Sequence, residues 1–228
     1  MIPRILSDIQ RTLAKRGVRV NKSSDGRNGS VMDEHDITFF LKTRFKDLVT
    51  ISPPRMWHDI LVRNDNVSPW IPVNIKTTTM KTRDNIGNLA TVVYAYTKHE
   101  MDLEKRYNNG VMSSVLYECL KNKHYNDTAR DYYFIVVDKK KRNNVIVNSL
   151  RGLTKITGSV HNLPFQVKWD QNKEYKSQSV QDSVDTFLET FPKKNCWKAK
   201  FITNLNNLRC KVGKKTNVAR TLRTAKRT

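Results

Sequence analysis

The chain is short of cysteine, of acidic residues and of long apolar runs, and each shortage narrows what it can be. Its three cysteines, Cys119, Cys196 and Cys210, are scattered and odd in number, which argues against a disulfide framework or a zinc site and for a reducing compartment. No apolar run approaches the length needed to cross a bilayer. The opening Met1-Ile2-Pro3-Arg4-Ile5-Leu6-Ser7-Asp8 lacks the apolar region of a signal peptide. The expectation is a cytoplasmic protein with no membrane partner. His35, His58, His99, His124 and His161 show no paired metal-ligand spacing, so they read as structural or contact residues. There is no P-loop, no dinucleotide fingerprint and no internal repeat.

What the sequence has in excess is positive charge. Lys and Arg number 42 against 21 Asp and Glu, a formal net charge of +21 over 228 residues. Such an imbalance calls for a polyanionic partner, and nucleic acid is the first candidate because no amphipathic membrane anchor accompanies it. From Arg209 onward there is no acidic residue. Residues 209–228 are therefore expected to form a basic tail, disordered when free, that adds salt-sensitive affinity for a phosphate backbone. Residues 1–208 are long enough to form a core of their own.

The pattern in that larger part is mixed. Ile2 to Leu13 reads as an amphipathic helix, with Ile2, Ile5, Leu6, Ile9 and Leu13 on one side. The polar, glycine-bearing Lys22 to Ser30 reads as a loop, either reaching into a groove or simply connecting. A helix is expected from Ser30 to Leu48, capped by Ser30 and striped by Ile37, Phe40, Leu41, Phe45 and Leu48. Glu34 falls on the side of Leu41 and Phe45, toward the core edge, while Asp33 and Asp36 look exposed. Trp57 to Val62 and Ile71 to Thr78 alternate like half-buried strands around a turn-rich loop, which predicts a hairpin. In its second strand Ile71, Val73 and Ile75 share one face and Asn74 and Lys76 the other. Antiparallel pairing then brings Asp59 beside Asn74 and Lys76.

Farther along, Leu89 to Tyr96 fits helix or strand by periodicity, with helix preferred, and Val111 to Leu120 reads as a helix. Asp131 to Asp138 reads as a buried central strand. Lys139 to Asn144 makes a basic turn, either solvated or touching phosphates, and Val145 to Leu150 returns as a strand. A short strand follows Pro164, and Val184 to Phe191 reads as a helix. Cys119, Tyr132, Tyr133, Trp169 and Trp197 are expected in the core rather than as nucleophile or base-stacking groups.

The order of a helix acid, a strand aspartate and a lysine two residues past an oxygen donor resembles the PD-(D/E)XK nuclease superfamily, especially type II restriction endonucleases that carry asparagine in the second acidic position. Glu34, Asp59, Asn74 and Lys76 carry the match, within His58-Asp59-Ile60-Leu61 and Val73-Asn74-Ile75-Lys76-Thr77-Thr78-Thr79. Further support lies in the stretch from Asn74 through Asp84-Asn85, and later in Asn148 to Leu153 and Asn162 to Trp169. His58 stands where the family usually has proline, and Asn74 replaces an acid. The resemblance implies an α/β (α+β), restriction-endonuclease-like fold with a central mixed β-sheet flanked by helices. It also implies Mg2+ as cofactor, double-stranded DNA as substrate, a homodimer and a cognate DNA methyltransferase. Asp59, Asn74 and the Ile75 carbonyl would hold Mg2+, Glu34 a second metal or its water, and Lys76 would stabilise the developing charge. Thr77 to Asn88 and Asn148 to Lys168 are the candidates for base readout. A structure-specific repair or junction nuclease of the same fold, or a non-catalytic basic nucleic-acid-binding protein, are the alternatives.

Overall fold

The computed structural model describes residues 1–17, 26–86, 88–158 and 165–190. Helix α1 (Arg4–Arg16) is followed by α2 (Gly26–Phe45) and a 3-10 turn (Lys46–Leu48). Strands β1 (Val49–Ile51), β2 (Ile60–Val62) and β3 (Ile71–Thr78) come next, then the short β4 (Asp84–Asn85). Helices α3 (Leu89–Tyr96) and α4 (Asn109–Lys121) lead to β5 (Tyr133–Asp138) and β6 (Val145–Ser149). The last elements are β7 (Ile156–Gly158), β8 (Phe165–Val167), a 3-10 turn (Trp169–Gln171) and α5 (Val180–Thr190).

The strands form a five-stranded mixed sheet in the order β1-β2-β3-β5-β6 and a separate three-stranded sheet in the order β4-β8-β7. The expected hairpin is present as the antiparallel pair β2/β3, with Ile60 opposite Val73, although its first strand runs Ile60–Val62 rather than Trp57 to Val62. Strand β5 lies parallel to β3, Asn74 beside Phe134 and Lys76 beside Val136. A parallel neighbour needs a crossover connection, and β4, α3 and α4 supply it. The chain is thus α/β (α+β) with a central mixed sheet and flanking helices.

Because side chains alternate across a strand, the sheet buries a different cluster on each face. Val73 and Ile75 pack with Ile60, Ile135 and Val147 beneath α1 and α2. Phe134, Val136 and Ile146 pack on the other face with Trp57, Trp169 and every residue of α3 except Thr91. Helix α1 forms as the spacing predicts, burying Ile5, Leu6, Ile9 and Leu13. Asn88 caps α3, its side-chain oxygen accepting the N–H groups of Ala90 at 2.9 Å and Thr91 at 3.3 Å.

Several boundaries differ from expectation. Helix α2 starts at Gly26, four residues before Ser30, so Ser30 is not its cap and Asp33 and Glu34 lie beyond its first turn. Tertiary packing decides this: Gly29 is buried, and Ser30 Oγ faces the Thr77 carbonyl of β3 at 3.5 Å. Asp33, expected to be exposed, is fully buried, whereas Asp36 is exposed. Helix α5 begins at Val180 rather than Val184. Cys119 is half-buried rather than core. Tyr132 and Trp169 are fully buried and Tyr133 nearly so, as expected of core aromatics. Residues 22–25 of the predicted loop, the basic tail 209–228, His161, Cys196, Cys210 and Trp197 lie outside the described residues. Among the described residues no helix is long and apolar enough to cross a membrane.

Candidate active site

The site grows out of an unpaired stretch of strand edge. Strand β2 is only three residues long, so it covers β3 as far as Val73 and leaves Ile75 and Thr77 without a strand neighbour on that side. Their N–H groups need acceptors, and two carboxylates supply them. Asp59 Oδ2 accepts from Ile75 N at 2.7 Å, and Glu34 Oε1 accepts from Thr77 N at 3.2 Å. Two residues along a strand span about 7 Å, so the carboxylates stand side by side on one edge. N–H and C=O of a strand residue point the same way, which puts the Ile75 carbonyl on that edge between them.

Asp59 is held from both sides. Its N–H donates to the Val73 carbonyl at 2.9 Å, and its own carbonyl accepts from Ser52 N at 3.0 Å, continuing the β1-β2-β3 ladder by one residue. The neighbouring His58 is buried. Its Nε2 lies 2.9 Å from the Leu103 carbonyl, and its Nδ1 lies 2.6 Å from Ser52 Oγ. A carbonyl can only accept, so Nε2 carries the proton and Ser52 donates to Nδ1. Burial pushes the imidazole below its ordinary pKa, in keeping with this neutral tautomer. His58 thus ties the segment ahead of β2 to the Ser52 side chain and to the Leu103 carbonyl.

Asn74 comes opposite Asp59 when the β2/β3 register is extended one pair. Its side chain lies against the Tyr132 hydroxyl, which donates to the Trp57 carbonyl at 2.8 Å. The Asn74 Oδ1 is buried and has no hydrogen-bond partner. Lys76, two residues on and partly buried, attracts Glu34, Asp59 and Asp84, since its charge favours ionisation of all three.

Asp84 falls within Thr77 to Asn88, expected to read bases, but its place beside Lys76 was not foreseen. It sits in β4, in a polar connector with no periodic signal, and only the folded chain returns it to Lys76. Trp169 Nε1 donates to its Oδ2 at 2.8 Å. The turn delivering it is strained: Met80 has φ +62, Lys81 N bonds to the Thr79 carbonyl at 2.7 Å, and Asp170 N to the Met80 carbonyl at 3.2 Å. Lys139, in the basic turn after β5, donates from its backbone to the Thr78 carbonyl at 2.8 Å and from Nζ to Ser30 Oγ at 2.6 Å. The basic turn is therefore tied to the same end of β3.

Burial dominates the electrostatics. It raises Glu34 from 4.5 to about 7, against the pull of Lys76 and the Thr77 N–H. It raises Asp59 and Asp84 too, Asp59 being held back by the Ile75 N–H and Lys76, Asp84 by Thr78, Trp169 and two lysines. Three carboxyls are thus poised to gain from a nearby cation. Among the described residues no three His, Cys, Asp or Glu side chains converge on a metal position, so a cation here would draw on amide and carbonyl oxygens as well. Glu34, Asp59, Asn74, Ile75 and Lys76 lie close together along this stretch of β3.

No family profile matches the chain, and no curated protein is significantly similar to it in sequence.

Proposed function

We propose that the chain is a Mg2+-dependent endonuclease that cleaves double-stranded DNA at specific sequences. Its place would be the PD-(D/E)XK superfamily, as a type II restriction endonuclease with the restriction-endonuclease-like fold, working as a homodimer beside a cognate DNA methyltransferase. The observation that carries this reading is the seating of Asp59 and Glu34 on successive free N–H groups of one strand edge, with Asn74 and Lys76 projecting from that strand.

The donors fit Mg2+, a hard cation that prefers oxygen. Asp59, Glu34, the Ile75 carbonyl and the Asn74 amide oxygen are all oxygen donors, and the last is buried without a partner. These groups would hold the ion, which when bound polarises the scissile phosphate and acidifies water. Hydrolysis adds water across one P–O bond. Lys76 offsets the negative charge gathering on the phosphoryl oxygens. Glu34, seated on the Thr77 N–H, would hold a second metal or the metal-bound water that attacks. Asp59 is fixed by β1 and β3, so the phosphate meets a preset geometry. A two-fold dimer would present one such site to each strand.

Incubation of the pure protein with phage DNA and Mg2+ tests the reading. Discrete fragments support it. Cuts confined to branched or damaged DNA would move the activity to a repair or junction nuclease. A gel shift without cleavage would leave a binder, the reading that the neutral Asn74 favours.

A further inference from the structure

Two segments far apart in sequence meet in the small sheet. Strand β4 pairs with β8 so that Asn85 stands opposite Gln166, and β8 pairs with β7 so that Thr157 stands on the other side of Gln166. The three side chains therefore form one row across the sheet. The row faces outward: Phe165 and Val167, flanking Gln166, are each 1% exposed, whereas Asn85 and Thr157 are exposed and Gln166 is partly so.

Gln166 Nε2 donates to Asn85 Oδ1 at 3.0 Å. This bond turns two mobile amides into one preset unit and leaves Asn85 Nδ2 as a donor and Gln166 Oε1 as an acceptor. Thr157 Oγ1 donates to the Gln166 carbonyl at 3.2 Å, so its methyl is the group left for contact. In the major groove adenine shows an acceptor at N7 and a donor at N6, and its thymine partner shows a methyl group. A donor, an acceptor and a methyl in one row are the complement of that edge. The row is also next to the reacting centre, because Asp84, the residue before Asn85, feels the charge of Lys76.

We propose that Asn85, Gln166 and Thr157 form the base-reading surface and take an A·T pair in the major groove, which a β-ribbon can enter. This assignment rests on the DNA-cleaving reading above for its substrate.

The test selects bound sequences from random duplex DNA with Ca2+ in place of Mg2+, so that binding alone is read. Wild type is expected to enrich a motif containing an A·T pair. Asn85→Ala and Gln166→Ala are expected to lose the preference at that pair by about ten-fold or more, with the rest of the motif intact. Gln166→Glu, similar in size, replaces the donor by an acceptor and is expected to move the preference toward cytosine. A motif unchanged in all three variants, a variant-sensitive pair that is G·C, or no motif from wild type would overturn the proposal. Enrichment that changes as expected in a protein that never cuts would leave the row standing and remove the nuclease. Discrete cutting with an unchanged motif would do the reverse.

Discussion

Glu34→Gln is the perturbation that reads the electrostatics of the site without needing DNA. Gln matches Glu in shape and its oxygen can still accept from Thr77 N, but it cannot ionise. Burial lifts the Glu34 pKa in the folded chain from 4.5 to about 7, so between those values the native state holds a proton that the unfolded chain has released. Stability then falls as pH rises. The stabilisation is complete below about 4.5 and is lost as pH passes about 7. At about 1.36 kcal/mol per pH unit the loss from this one group is about 3 kcal/mol. Wild type and Glu34→Gln should have similar unfolding free energies at pH 5, and the variant should be the more stable by up to about 3 kcal/mol at pH 8. Urea titrations followed by tryptophan fluorescence at pH 5, 6, 7 and 8 measure this directly. Two curves that stay parallel across the series would refute the claim that burial against β3 outweighs the pull of Lys76 and the Thr77 N–H on the Glu34 charge.

Other outcomes follow from the same geometry. At pH 8, Mg2+ should raise the unfolding free energy of wild type, by about 2.7 kcal/mol at a hundred times its dissociation constant, and should do little for Asp59→Ala. Lys76→Ala should lower single-turnover DNA cleavage by a factor of about 100 or more while sparing DNA binding in a gel shift. Asn74→Asp adds a charge where the neutral amide oxygen now sits, and should lower the Mg2+ concentration for half-maximal cleavage by about ten-fold or more. Trp169→Phe removes the donor to Asp84 and should destabilise the fold by about 1–3 kcal/mol in a urea titration.

Legibility in the sequence followed the range of the signal. The β2/β3 hairpin and the buried β5 were readable because alternation and an unbroken apolar run are local; of the four residues of the resemblance, Glu34 lies on α2, Asn74 and Lys76 on β3, and Asp59 just ahead of β2. The start of α2 was not readable, since Gly26 and Gly29 look like loop punctuation, whereas in the fold Gly29 is buried and the next residue, Ser30, faces the Thr77 carbonyl of β3. Asp33 was misjudged for the same reason: an early acid on a helix ordinarily faces water, and here it is buried. The parallel pairing of β3 with β5 spans about sixty residues and has no local mark. Asp84 depends on that crossover and on the turn at Met80, so nothing in its polar neighbourhood could single it out. The departure at His58 was visible, but its bonds to Ser52 and Leu103 were not.

Anomalous diffraction from crystals of the protein grown with duplex DNA and Mn2+ tests the central claim most directly. The account predicts a peak within bonding distance of an Asp59 oxygen and the Ile75 carbonyl, beside Asn74, with the Lys76 ammonium against the same phosphate. A peak seated elsewhere, or DNA bound with no metal at that strand edge, would contradict it.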